Sequence, residues 1–178
     1  DIWTTSYYSY APGDPTPGGG LNDGRLVVGG WGDEYDSLIQ FDLTGMPTVA
    51  YSATLELFNF AQGGEGGTEM YLDRISEPWD WKTQGTGRDH DRLWWADKPD
   101  VAASVNLLPI PVLGELYRID ITTLYNQWQR GTYPNYGVQL RPASTLNRWL
   151  YFYSADQNRF PERRPSLVLT PALIVGGP

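Results

Sequence analysis

Short apolar runs separated by glycine and proline recur along most of this chain, and several of them alternate in polarity. In residues 37–43 (SLIQFDL), Ile39, Phe41 and Leu43 fall on one side of an extended backbone. Residues 53–60 (ATLELFNF) repeat the pattern. Because successive side chains of a strand point to opposite faces of a sheet, both segments are predicted to be half-buried β-strands.

Similar runs predict the remaining elements. We expect further strands at residues 25–29, 68–75, 101–108, 115–121, 137–141, 148–153 and 166–170. Leu124, Tyr125 and Trp128 fall instead at helical spacing, with Thr122 as the predicted N-cap and Gly131 as the stop. About nine or ten short strands with one short helix favour an all-β fold, a jelly-roll-like β-sandwich.

The two ends of the chain differ from this middle part. Residues 1–10 (DIWTTSYYSY) are rich in the β-branched and aromatic residues that favour strands, and residues 11–20 (APGDPTPGGG) are rich in proline and glycine. We therefore divide the chain into an N-terminal strand arm with its linker at residues 1–20, a sandwich domain at residues 21–170 and a tail at residues 171–178. Ten extended residues reach at most about 35 Å, so the arm can pair with its own domain or with a neighbour's.

Pairing with a neighbour is the sharper of these two hypotheses. An extended segment that adds to the sheet edge of the next subunit joins the copies head to tail, and such a contact forms a filament when it does not close on itself. The predicted donor side chains are Ile2, Trp3, Tyr7, Tyr8 and Tyr10. The predicted spacer residues are Pro12, Pro15, Pro17, Gly18, Gly19 and Gly20. The alternative, in which the strand pairs within its own domain, stays open at this point.

Composition restricts the partners. The net charge is −8, and no basic stripe is present to neutralise phosphates, so we expect neither nucleic acid nor an anionic membrane surface as a partner. The chain has no cysteine and no apolar run long enough to span a bilayer. It begins at Asp1 without a methionine, so we expect either a mature secreted protein or a trimmed chain.

A set of short motifs in a fixed order resembles the DNRLRE-type extracellular domain family. The motifs are residues 26–29 (LVVG), 38–43 (LIQFDL), 46–47 (MP), 52–57 (SATLEL), 117–124 (YRIDITTL), 136–140 (YGVQL), 152–154 (FYS) and 164–169 (RPSLVL). The resemblance implies a jelly-roll-like module at a cell surface, of a kind that in some proteins binds carbohydrate. The motifs are mainly expected core positions, so they imply fold and location more than ligand.

A tryptophan-rich segment supports a second function, carbohydrate binding. Its aromatic faces would stack on sugar rings, and neighbouring polar groups would bind hydroxyls. The candidate residues are Trp79, Trp81, Trp94, Trp95, Arg88 and His90. The alternative is that these tryptophans fix a long loop to the sandwich or line a subunit interface, where aromatic residues are enriched.

Acidic residues and catalytic motifs complete the search. Asp33, Glu34 and Asp36 offer oxygen ligands at a spacing that suits Ca²⁺, although solvated loop carboxylates are the commoner case. No thiol, Gly-x-Ser-x-Gly motif or phosphate-binding loop is present, and His90 is the single histidine. We therefore expect a non-enzymatic extracellular protein without an obligatory cofactor: a self-assembling fibre subunit or a carbohydrate-binding module.

Overall fold

The computed structural model describes residues 1–6, 24–79, 95–102 and 106–172. These ranges contain ten strands and one α-helix, which confirms the predicted all-β, sandwich-like fold with one short helix. The strands are β1 (Ile2–Thr5), β2 (Arg25–Gly30), β3 (Tyr35–Ile39), β4 (Ala50–Gly64), β5 (Met70–Arg74), β6 (Asn106–Leu108), β7 (Leu116–Asp120), β8 (Val138–Pro142), β9 (Arg148–Tyr153) and β10 (Ser166–Pro171). The helix α1 spans Thr122–Gln129 and follows β7.

All ladders between these strands are antiparallel, and the sheet curls on itself. Its strand order is β10-β4-β9-β2-β3-β8-β5-β6, with β7 added to β4 and β1 added to β3. The long strand β4 makes the curl possible, because its first half pairs with β10 and β7 and its second half pairs with β9. A register shift between Asn59 and Ala61 marks the change of partner.

The main core lies between the two layers that this curl creates. It takes alternate residues of the strands, such as Leu55 and Leu57 of β4 and Phe152 of β9, all with no exposed surface. Helix α1 closes the core with the residues that its periodicity singled out, Leu124, Tyr125 and Trp128. A domain of this length is expected to bury one such continuous core.

One predicted strand boundary is wrong for an identifiable reason. The strand predicted at residues 37–43 ends at Ile39, because Asn135 Nδ2 donates to the Phe41 carbonyl at 2.8 Å and replaces a ladder partner there. Of the strand predicted at residues 101–108, the described residues show β6 and an isolated bridge between Val101 and Ile75.

Polar side chains at the helix start and in the turns satisfy backbone groups. Thr122 is the first residue of α1, and the N-cap is Ile121, so the predicted cap is wrong by one residue. Asp120 Oδ1 accepts from the Thr122 amide at 2.8 Å and from its hydroxyl, which lowers the pKa of Asp120. Asp42 accepts from the Thr44 amide in the same way. Both aspartate side chains therefore satisfy backbone donors two residues further along the chain.

Two glycines have conformations that only glycine adopts readily. Gly131 has φ +70° just after the C-cap Arg130, where it ends α1 as predicted. Gly137 has φ +89°, and a Cβ there would overlap the Ile39 carbonyl oxygen. Gly137 therefore permits the close approach of β8 to the end of β3, the strand on which the N-terminal segment lies.

Candidate functional site

The N-terminal strand β1 lies on the edge of β3 as an added antiparallel strand. The register runs from Ile2 opposite Leu38 to Thr5 opposite Tyr35. Leu38 is also paired with Gln139 of β8, so β1 and β8 flank β3 on opposite edges. The described part of the predicted arm is thus docked on its own domain, the arrangement that the sequence left open beside docking on a neighbour.

Ile2 fills a small apolar pocket that is separate from the main core. It is 1% exposed and forms a cluster with Leu38 and Ile75, against which Trp79 and Tyr136 pack. The Trp79 indole Nε1 donates to the Tyr136 carbonyl at 2.7 Å and so fixes one wall of the pocket. We call these four residues around Ile2 the docking pocket.

Strand alternation explains why the docking pocket is separate. Ile39 belongs to the main core, so its neighbour Leu38 points to the other face of the sheet, and Ile2 opposite Leu38 points there too. The docking pocket therefore lies on the outer face of the sheet. There it is covered by residues from the segment that follows β5, among them Trp79.

Polar contacts hold both ends of the docked strand. The Asp1 carboxylate accepts from the Ala155 amide at 3.0 Å. At the other end, the Ser6 amide donates to the Glu34 carbonyl at 2.9 Å, and the Glu34 amide donates to Ser6 Oγ at 2.8 Å. Burial lowers the pKa of the Asp1 amine, and the negative charge of Asp156 opposes that shift.

A buried polar layer continues the outer face beside the docking pocket. Asp36, opposite Thr4 of β1, has no exposed surface, forms an ion pair with Lys98 and accepts from Gln139 Nε2 at 3.0 Å. The Lys98 ammonium lies 3.7 Å from the centre of the Trp95 ring, a cation–π contact. Burial raises the pKa of Asp36 to about 7, and Lys98 limits that rise.

Of the predicted donor side chains, Ile2 and Trp3 lie in β1 and differ in burial. Ile2 fills the docking pocket, whereas Trp3 is half-buried and contacts Tyr35 edge-on, with ring centres 6.0 Å apart. The other predicted arm residues lie outside the described ranges: Tyr7, Tyr8, Tyr10, Pro12, Pro15, Pro17, Gly18, Gly19 and Gly20.

The tryptophan segment is described only at its ends. Trp79 packs on the docking pocket and Trp95 contacts Lys98, so both rings take part in packing within the chain. Trp81, Trp94, Arg88 and His90 lie outside the described residues. Carbohydrate binding by this segment stays a prediction, while the loop-fixing alternative matches what Trp79 does.

Each of the three acidic residues that suggested calcium is held by contacts within the chain. Asp33 Oδ1 accepts from the Trp31 amide at 2.8 Å, Glu34 binds Ser6 through its backbone, and Asp36 is paired with Lys98. Asp36 lies in β3 rather than in a loop. Within the described ranges, no group of three or more histidine, cysteine or acidic side chains is arranged to hold a metal ion.

An aromatic face on the outside of β4 and β9 was not found from the sequence. Its half-buried rings belong to Phe58, Phe60, Tyr151, Tyr153 and Phe160. Phe60 and Tyr153 stack with centres 4.3 Å apart, and the Arg163 guanidinium lies over Phe58 at 4.4 Å. Because the rings stack on one another, the face fixes the turn after β9 to the sheet. The sequence signal for this aromatic face was the alternate, outward-facing aromatic residues within residues 148–153.

No protein-family model and no curated protein matches this chain. In the part of the chain that the structure describes, no helix has the length and apolar character that crossing a membrane requires.

Proposed function

We propose that this chain is a non-enzymatic structural protein that assembles into filaments by docking its N-terminal strand into the docking pocket of a neighbouring copy. The observation that carries the proposal is the separate pocket that Ile2 fills on the outer face of the sheet. A strand that adds to a sheet edge through its backbone and inserts one apolar side chain into a pocket is a recurring mode of peptide recognition.

The separation of the two apolar clusters supports exchange between copies. The main core contains neither Ile2 nor its pocket partners Leu38 and Ile75. When β1 leaves, the domain therefore keeps its main core, and the vacated pocket can accept the same strand from another copy. Because the contacts are the same in both arrangements, exchange of an identical element has a low free-energy cost.

The length of the connection supports the same proposal. Residues 7–23 join β1 to the domain, and a chain of that length spans at most about 60 Å. A globular chain of 178 residues has a radius of gyration of about 16 Å. The linker is thus long enough for β1 to reach the docking pocket of an adjacent copy without overlap between the two domains. Each copy donates one strand and accepts one, so the contact is head to tail and forms a filament when it does not close on itself.

The extracellular setting is part of the proposal and is supported by the resemblance to the DNRLRE-type domains. Two of the motifs that carry it lie wholly within strands of the described sheet, residues 26–29 in β2 and residues 52–57 in β4. In that setting a cysteine-free subunit joined by strand docking would serve a mechanical role, such as adhesion or matrix formation.

The test compares the full chain with a variant that lacks residues 1–6 and keeps the linker. Negative-stain electron microscopy is expected to show filaments of the full chain and only separate particles of the variant, because the variant lacks the donated strand. The variant should keep a cooperative thermal transition, since its main core is unchanged. Filaments of the same width and repeat in the variant would contradict the proposal, as would separate particles of the full chain at all concentrations.

A further inference from the structure

Two acidic residues at the start of β3 lie beside the docked strand. Asp36 is opposite Thr4, which is 1% exposed, and Glu34 exchanges two hydrogen bonds with Ser6 through its backbone. The Glu34 carboxyl raises the pKa of Asp36, through its charge and through a side-chain hydrogen bond. Two carboxylates in such contact repel each other, whereas a carboxylic acid beside a carboxylate forms a hydrogen bond.

The surroundings of Asp36 leave room for a proton. Its Oδ2 accepts from Lys98 and from Gln139, while no donor among the described residues reaches its buried Oδ1. A buried carboxylate oxygen without a hydrogen bond is unfavourable. A proton on Asp36 removes the charge and supplies a donor that Glu34 can accept.

We propose that Glu34 and Asp36 form a proton-binding pair beside the N-terminal strand, so that docking of the strand takes up a proton and becomes tighter as the pH falls from neutral to mildly acidic. This inference rests on the docking proposed above and adds its regulation. The acidic cluster that suggested a calcium site from the sequence is thereby assigned a different role.

The sign of the effect follows from which state holds the proton more tightly. In the docked state, burial raises the pKa of Asp36 from 3.8 to about 7. Release of β1 uncovers the side of Asp36 that faces Thr4. The pKa of Asp36 is then expected to fall toward its ordinary value. The docked state therefore binds more protons between these two values, and docking weakens as the pH rises from about 4 through 7.

Other charged groups near the strand set the limits of this effect. Lys98 lowers the pKa of docked Asp36 and so narrows the pH range over which docking takes up a proton, while Glu34 raises that pKa and widens the range. Asp73 and Arg141 form a separate ion pair further along the same face at 2.6 Å. The Asp1 amine acts in the opposite direction, because burial lowers its pKa from 8.0. The docked state holds this proton less tightly, so the contribution of the amine favours docking at higher pH.

Thiol protection in the full chain measures docking directly, since the chain has no cysteine of its own. An Ile2→Cys variant places a thiol in the docking pocket, where it is protected only while a strand is docked. Its labelling rate by a soluble disulfide reagent is divided at each pH by the rate for the urea-unfolded chain, which corrects for thiol ionisation. From pH 5 to pH 8 this ratio is expected to rise at least about ten-fold. That factor corresponds to a fall of one unit in the pKa of Asp36 when the strand is released.

The matched variant adds Asp36→Asn, whose neutral amide resembles protonated Asp36 and can donate to Glu34. Its labelling ratio should be flat with pH, or should fall as the Asp1 amine loses its proton. A flat ratio in the chain that keeps Asp36, or an equal rise in the Asp36→Asn variant, would overturn the inference.

Hydrogen exchange of the Ser6 amide in the unmodified chain provides a second readout if the cysteine variants do not fold. After correction for intrinsic rates, its protection should decrease by a similar factor from pH 5 to pH 8. Labelling reports docking whether the strand comes from the same copy or from a neighbour. A pH-dependent ratio without filaments would therefore reject assembly and retain the proton-binding pair.

Discussion

An Ile2→Asp variant of the full chain is expected to stay unassembled under conditions in which the wild-type chain forms filaments. Ile2 is 1% exposed in a pocket built from Leu38, Ile75, Trp79 and Tyr136. Aspartate loses the transfer free energy of the isoleucine side chain and places a carboxylate among apolar groups, together at least about 3 kcal/mol. That loss weakens docking about a hundred-fold. Sedimentation velocity over a range of protein concentrations measures the result.

The controls for this variant use the two faces of the same strand. Ile2→Val keeps an apolar side chain in the docking pocket and should preserve assembly. Trp3→Asp changes the neighbouring half-buried residue on the other face and should weaken assembly much less than Ile2→Asp. Equal effects of the aspartate substitutions at positions 2 and 3 would show that the docking pocket is not the determinant of assembly.

A Phe152→Ala variant is expected to lose about 3–5 kcal/mol of unfolding free energy, the usual range for a fully buried phenylalanine. Phe152 has no exposed surface and lies in the main core, where Leu26 and Asn59 are its neighbours on the flanking strands. For a domain of this size the midpoint of thermal unfolding should fall by roughly 6–20 °C. Differential scanning calorimetry and urea titration measure both quantities.

The matched control for Phe152 is its neighbour on the outer face of β9. Tyr151→Ala removes a half-buried ring that stacks on Phe60 and should lower stability by less. By contrast, Ile2→Asp should leave the main transition close to that of wild type, because Ile2 belongs to the separate cluster. A loss from Ile2→Asp as large as that from Phe152→Ala would contradict the separation of the two clusters.

Much of the fold could be predicted because most strands are half-buried and carry their burial pattern in the sequence. The alternation of Leu55 and Leu57 with polar residues predicts the inner face of β4, and the spacing of Leu124, Tyr125 and Trp128 predicts α1. Boundaries failed where a long-range contact replaced the ladder. No local pattern indicates that the Asn135 side chain takes the place of a strand beside Phe41.

The candidate site was harder to predict because it depends on pairing between distant segments. Ile2 and Trp3 could be named from composition, but their different burial follows from the register with Leu38 and Ser37. The same pairing places Asp36 in β3 opposite Thr4, where a loop carboxylate was expected. Register is a long-range property that the alternation of a single segment leaves undetermined.

The most direct test of strand exchange is disulfide trapping of the docked register between copies. Thr5 lies opposite Tyr35, so a Thr5→Cys, Tyr35→Cys variant places two thiols on paired positions in a chain that otherwise has none. Each single-cysteine variant is the control and cannot link beyond a dimer. After mild oxidation of the assembled protein, strand exchange predicts a ladder of covalent multimers on a denaturing gel that collapses to monomer on reduction. A single monomeric band with an internal cross-link at all protein concentrations would show that the strand docks only on its own domain, which would contradict the proposed function.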